Sequence, residues 1–182
     1  MKHSPVGAWH AEHMDFLRLL DLLEKQLAVF HAGERPDYER MLDILHYLRH
    51  FPDEFHHARE DAAFARLAQK YPGMELAFAR LHQEHRVIAN AGQALLELLE
   101  AALAGSVVGR NDIEAAAATY LVYYRNHIAV EERDVLPRAA KSLTPKDWAA
   151  IAAAVPAAAD PLFADRVTER YRSLRREIAI AR

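Results

Sequence analysis

The stretch LHQEH, residues 81–85, places two histidines three positions apart, and WHAEH, residues 9–13, repeats that spacing. In each stretch the second histidine, His13 or His85, shares one side of a helical pattern with apolar residues. These apolar residues are Trp9, Phe16, Leu20 and Leu27 in the first pattern, and Leu81, Ile88, Leu95 and Leu99 in the second. The repeat therefore predicts two amphipathic helices that each turn one histidine towards the protein core.

Helical spacing of apolar residues continues along nearly the whole chain, and no stretch alternates as a strand does. Ser4-Pro5 predicts a helix start, because serine caps a helix and proline suits its first position. Pro52 predicts a kink or a brief break, because proline lacks the amide hydrogen of a regular helix. The predicted long helices cover residues 5–30, 37–70, 73–104 and 111–141, the last with Pro137 in its final turn.

Four long helices joined by short loops predict an all-α protein built as an antiparallel up-down-up-down four-helix bundle. The bundle should occupy about residues 7–141. A helical extension over about residues 142–182 should pack outside it, with a short helix from Thr144 to Val155 and an amphipathic helix over 162–180. At 182 residues, we expect residues 1–182 to form a single domain.

The composition limits the metal ligands and the partners that we expect. The chain has no cysteine, so any metal must be held by histidine and carboxylate, and it has 11 histidines. A net charge of −3 gives no electrostatic reason to expect a nucleic-acid partner. We found no signal peptide or membrane-spanning run, so the expected location is the cytoplasm, with no membrane partner.

A second repeated pattern lies on the other two long helices, in HHARED (residues 56–61) and HIAVEE (residues 127–132). Each holds His-x-x-x-Glu, and residues four apart stack on one helix face. The pairs are His56 with Glu60 and His127 with Glu131.

Order along the chain makes these weak motifs informative. His56 follows His13 by 43 residues and His127 follows His85 by 42, so two helical hairpins repeat. A bundle of two such hairpins would bring four histidines and two glutamates together. That donor set suits a dinuclear non-haem iron site, because each carboxylate can bridge two cations. The alternative is that these are ordinary core or surface histidines with partners of their own.

In this order of residues the chain resembles the hemerythrin-like, HHE cation-binding family, over about residues 7–141. It is more similar to the bacterial di-iron members linked to the repair of iron-sulfur centres than to oxygen-carrying hemerythrins. The resemblance implies two iron ions joined by an oxo or hydroxo bridge. It implies terminal ligands at His13, His56, His85 and His127, and bridging ligands at Glu60 and Glu131.

Three further histidines are candidate ligands: His10, His57 and His82. His57 competes with His56, since His57 and Asp61 are also four residues apart; we prefer His56 because Glu60 then corresponds to Glu131. Oxygen-carrying hemerythrins are less similar, because their third and fourth helices have His-x-x-x-His and His-x-x-x-x-Asp. Glu84, between His82 and His85, is expected to face solvent.

Coordination counting links these histidines to function. Two six-coordinate irons offer about 12 positions, and the six main ligands with one bridging oxygen leave about two open. If His82 binds, about one stays open for a small ligand, and if His10 also binds, none does. Tyr120, Tyr123 and Tyr124 lie one to two turns before His127 and could contact such a ligand.

The first functional hypothesis is a di-iron protein that binds oxygen, peroxide or nitric oxide in oxidative or nitrosative stress, or in repair of iron centres. The alternative is an iron-binding sensor or interaction module without turnover. Its signal would pass through the C-terminal stripe of Tyr171, Leu174 and Ile178, which we expect instead to pack on the bundle or on a second subunit, as in a homodimer. A ferritin-like carboxylate site and a zinc hydrolase fit the motifs less well.

Overall fold

The computed structural model describes residues 4–156, 158–163 and 169–180, and within these ranges every regular element is helical. The prediction of an all-α protein is confirmed. None of the described helices is long and apolar enough to cross a membrane. The helices are α1 (Pro5–His31), α2 (Tyr38–Phe51), α3 (His57–Lys70), α4 (Glu75–Leu103), α5 (Arg110–Val130), α6 (Leu136–Ser142), α7 (Pro145–Ala154) and α8 (Arg172–Ile180).

Two short π-helical segments interrupt the long helices. The first, Pro52–His56, joins α2 to α3, and the second, Glu131–Val135, joins α5 to α6. The interruption predicted at Pro52 is confirmed, and the fourth predicted helix, 111–141, corresponds to a continuous helical stretch over residues 110–142 that contains the second segment. A π turn takes up more residues than an α turn and often lies at a functional site.

The helix starts follow their capping residues. The hydroxyl of Ser4 accepts a hydrogen bond from the Gly7 amide at 3.1 Å, and Thr144 forms a reciprocal capping box with Asp147 at the start of α7. Both starts agree with the prediction. The predicted start of the last helix at residue 162 is wrong, because residues 161–163 form a turn; residues 164–168 lie outside the described part of the chain.

The buried apolar side chains form two clusters, and a polar cluster lies between them. On α1, Trp9 belongs to one apolar cluster and Phe16 to the other, and His13 lies between these two residues. On α4, Leu81 and Ile88 divide in the same way around His85. The helices place the predicted ligands between the two apolar clusters of the core.

The C-terminal stripe packs on the rest of the chain. Tyr171, Leu174 and Ile178 are buried within the same apolar cluster as α1 and α2. Ion pairs between Arg40 and Glu177 and between Arg170 and Asp43 flank this contact. The stripe therefore offers no exposed apolar surface to a partner, and a homodimer stays a prediction.

Candidate metal centre

Seven histidine and glutamate side chains from different helices meet in the core, each between 1% and 6% exposed. The six main ligands predicted from the sequence are all among them. The seventh is His57, which the sequence left as an alternative to His56. The seven are His13, His56, His57, Glu60, His85, His127 and Glu131.

Three donor atoms form the first half-site. The Nε2 atoms of His13 and His56 are 2.9 Å apart, and Oε1 of Glu60 lies 3.2 Å and 3.0 Å from them. Ligand atoms about 2.1 Å from a shared cation lie about 3 Å apart when they bind at right angles. The triangle therefore has the size of one face of a metal coordination sphere.

The second half-site contains three histidines. His57, His85 and His127 offer ring nitrogens that group with Glu60 around one point. The ring of His57 is stacked on that of His85, with centroids 4.2 Å apart. Nε2 of His127 lies 3.1 Å from Oε1 of Glu131. This half-site has one more histidine than the first.

Glu60 and Glu131 face both half-sites. Oε1 of Glu60 lies with the first half-site, and its Oε2 is 3.6 Å from Nε2 of His85 in the second. In Glu131 the two oxygens are assigned the other way round. Its Oε2 is 3.4 Å from Nε2 of His13 in the first half-site, and its Oε1 is nearest His127 in the second. Each carboxylate thus presents one oxygen to each half-site.

The donor set fits a cation because five of its buried atoms lack hydrogen bonds. Both carboxylate oxygens of Glu131, Oε2 of Glu60, and Nε2 of His85 and His127 are buried and form none. Burying two carboxylates is costly unless a positive charge accompanies them. A metal cation in each half-site would supply that charge and use these lone pairs.

The pKa values reflect the same demand for positive charge. Burial alone would lower the pKa of His13 and of His85, yet hydrogen bonds to Glu132 and Asp61, together with the charges of Glu60 and Glu131, raise each to about 10. His57 differs, because burial and the charge of His85 hold its pKa well below the usual value. His57 is therefore neutral, which is the form of imidazole that binds metals.

The outward nitrogens of the four main histidines each contact a carboxylate. This contact orients a ligating imidazole and leaves its other nitrogen free for the metal. The Nδ1 distances are 2.7 Å from His13 to Glu132, 2.5 Å from His56 to Glu12, 2.9 Å from His85 to Asp61, and 3.1 Å from His127 to Glu84. The expectation that Glu84 faces solvent is wrong: Glu84 is 8% exposed and accepts the hydrogen bond of His127.

His10 and His82 do not join the inner group. Their side chains are 55% and 53% exposed, and they contact Glu132 and Asp61 respectively. The sequence favours His56 over His57, because regular α-helical spacing allows only one of two adjacent residues to face the centre directly. The π segment that ends at His56 changes this spacing, and both histidines are buried.

The three tyrosines before His127 occupy different surroundings. Tyr123 is 46% exposed, whereas Tyr120 and Tyr124 are buried. The Tyr124 hydroxyl is buried without a hydrogen-bond partner, and its ring centroid lies 5.9 Å from that of His57. Tyr124 therefore combines a buried, unpaired hydroxyl with a ring contact to an inner histidine.

Comparison with protein families matches residues 4–139 to the family described as Hemerythrin HHE cation binding domain. The chain belongs to this family. The hemerythrin domain is a helical bundle that binds metal cations, usually iron, and all seven inner residues lie within the matched range. No curated protein and no solved structure gives a significant match to this hemerythrin-family chain.

Proposed function

We propose that this hemerythrin-family chain is a non-haem di-iron protein that binds a small ligand, either oxygen, peroxide or nitric oxide. One observation carries the proposal: Glu60 and Glu131 each present one oxygen to a histidine pair and the other to a histidine trio. A single cation would need only one of these groups. Two shared carboxylates between two groups of histidines are the arrangement of a dinuclear site.

The histidine count favours an open position in the first half-site. Five histidines, two bridging carboxylates and one bridging oxygen fill all but about one of the 12 positions of two six-coordinate irons. His57 supplies the fifth histidine, the place that sequence counting gave to His82. Because the first half-site has only His13 and His56, a metal ion held there would keep the open position.

The chain's own residues would control access and orientation at this position. Bound irons would supply a reversible ferrous to ferric redox couple, and the apolar clusters on both sides of the centre would keep water away. Tyr124 would donate its unpaired hydroxyl hydrogen to the bound ligand. Burial holds the pKa of Tyr124 well above its usual value, so it stays a donor.

Azide titration of the oxidised, iron-loaded protein, followed by visible absorption, tests ligand binding. The wild type should bind azide, and Tyr124→Phe should bind it about fivefold to tenfold more weakly, because one hydrogen bond contributes about 1 kcal/mol. Tyr120→Phe is the matched control, since Tyr120 is also buried and lies one turn earlier on α5. An iron-loaded wild type that binds no azide would contradict the proposed ligand binding.

The alternative function, an iron sensor without turnover, has one specific observation in its favour. Ring contacts connect the centre to the C-terminal region: Phe16 packs edge-on against His56 at 5.0 Å and contacts Tyr47, which contacts Tyr171 at 5.8 Å. A sensor requires that metal removal change the proteolytic accessibility or the oligomeric state of this region. Unchanged values of both would reject the sensor.

The proposal includes the finer predictions about the whole chain. Short connections at residues 32–37, 71–74 and 104–109 support the antiparallel up-down-up-down order of the long helices. A role in stress or in iron-centre repair, as in the bacterial members that the sequence resembles, agrees with a site for oxidants and nitric oxide. A cytoplasmic location, with neither nucleic acid nor membrane as partner, belongs to the same proposal.

A further inference from the structure

The middle glutamate of each His-x-Glu-His motif contacts a histidine on a neighbouring element. Glu12, from the first motif, accepts the Nδ1 hydrogen of His56 at 2.5 Å. Glu84, from the second motif, accepts that of His127 at 3.1 Å. Each motif therefore supplies one histidine of the buried centre. It also supplies the glutamate that contacts the outward nitrogen of a second buried histidine on another element.

An arginine holds each of these glutamates in turn. Arg59 donates to Glu12 at 2.8 Å and also to the carbonyl oxygen of Phe55 at 3.1 Å. Arg80 donates to Glu84 at 2.9 Å. The order arginine, glutamate, histidine is thus the same on both sides of the centre.

The first histidine of each motif completes a second kind of chain. His10 contacts Glu132 at 2.8 Å, and Glu132 holds His13 at 2.7 Å. His82 contacts Asp61 at 2.9 Å, and Asp61 holds His85 at 2.9 Å. Glu132 and Asp61 directly follow the shared carboxylates Glu131 and Glu60 in the sequence.

We propose that the four outer carboxylates are positioning residues and that each pair serves one metal ion. Glu12 and Glu132 hold the two histidines of the first half-site. Glu84 and Asp61 hold His127 and His85 of the second. The inference rests on the proposed dinuclear site and assigns the support of each ion to a separate set of residues.

The physical reason is control of the imidazole. A carboxylate at Nδ1 fixes the tautomer in which Nε2 is unprotonated, fixes the ring plane, and makes Nε2 a stronger donor. An amide in place of the carboxylate has nearly the same shape but keeps neither the charge nor the fixed acceptor. Because each carboxylate contacts one inner histidine, its loss should weaken the ion of that half-site alone.

The experiment titrates the metal-free protein with cobalt(II) in competition with a chelator and follows visible absorption. Glu12→Gln and Glu84→Gln should each lower the affinity for one of the two cobalt ions about tenfold to hundredfold. This is the usual effect of losing a side chain that hydrogen-bonds to a metal ligand. The other ion should be unaffected. Glu97→Gln is the control, because Glu97 lies on α4 and contacts Gln93 outside the centre.

A His56→Ala background shows which ion each glutamate serves, since only the second half-site should then bind cobalt tightly. Adding Glu12→Gln to it should change nothing, whereas adding Glu84→Gln should still weaken the remaining ion about tenfold to hundredfold. Circular dichroism of each metal-free variant verifies its helicity.

Two results would overturn the positioning role. One is an equal loss of both ions in either single variant. The other is two cobalt ions bound by Glu12→Gln and Glu84→Gln as tightly as by the wild type. A wild type that binds no cobalt or iron would instead refute the proposed function itself.

Discussion

His57 and His82 show how a surplus histidine can serve this protein in two different ways. His57 is buried against His85 with a pKa that keeps it neutral, while His82 lies half in solvent and holds Asp61. In the proposed centre the first would bind metal and the second would orient a carboxylate. The two histidines therefore make a matched pair for mutagenesis.

His57→Ala should lower the affinity of the second half-site for its metal ion. The loss should exceed the roughly tenfold to hundredfold effect of removing a carboxylate that only contacts a ligand. His82→Ala should leave the metal content at that of the wild type, because Asp61 keeps its contact with His85. Metal analysis after dialysis against a weak chelator measures both. Equal metal loss from the two variants would make His82 a ligand and would contradict the assignment.

At the residue scale, the sequence predicts the inner residues whose order repeats between the two hairpins. It does not predict a side-chain contact whose partner lies on a different helix. His13, His56, His85, His127 and their two glutamates were found because two hairpins carry the same pattern. Glu84 was misjudged, since a helical projection shows its distance from the apolar stripe but not His127 on the next helix. The burial of His57 together with His56 depends on the π segment, and α-helical spacing does not predict it.

Among the elements, the two π segments each carry a residue of the centre: the first ends at His56 and the second begins at Glu131. Pro52 was a visible signal for the first, because its missing amide hydrogen breaks the regular bonding. The second begins at Glu131, and Pro137 lies just after its end. A proline in a helix cannot bond to the carbonyl four residues earlier, here that of Arg133 inside the segment, so Pro137 is the corresponding signal. Apolar spacing thus predicts the long helices, and only the two prolines point to the π segments within them.

Helices α4 and α5, which carry His85 and His127, approach closely at Gly92. A Cβ atom at this position would lie 2.9 Å from Cε2 of Tyr120, which is itself fully packed. In an open helix, alanine in place of glycine adds about 1 kcal/mol of stability. Here the steric conflict, about 1–3 kcal/mol, should outweigh that gain.

Gly92→Ala should therefore lower the free energy of unfolding, as measured by urea denaturation of the metal-free protein. A variant as stable as the wild type, or more stable, would show that α4 and α5 do not approach as closely as the structure places them. This test of the helix contact is independent of the metal.

For the whole molecule, we expect the proposed centre to couple metal binding to folding. Its donor atoms come from α1, both π segments, α3, α4 and α5, so an unfolded chain cannot assemble them. At a free metal concentration of about 100 times Kd, one ion would add about 2.7 kcal/mol of stability. For a chain of this size that corresponds to a rise in Tm of about 5–10 °C.

Thermal unfolding with and without a strong chelator measures this coupling. We expect a lower Tm after metal removal and recovery when iron is restored. The His13→Ala variant is the control, since it lacks one donor of the first half-site and should respond less. Identical Tm values for the loaded and metal-free wild type would mean that no metal binds the folded centre selectively.

The most direct test of the central claim is the stoichiometry of anaerobic ferrous iron binding, determined by metal analysis of the protein after removal of free iron. We predict two irons per chain in the wild type and at most one in Glu131→Ala, which removes a carboxylate shared by both half-sites. One iron in the wild type, or none, would contradict the dinuclear centre.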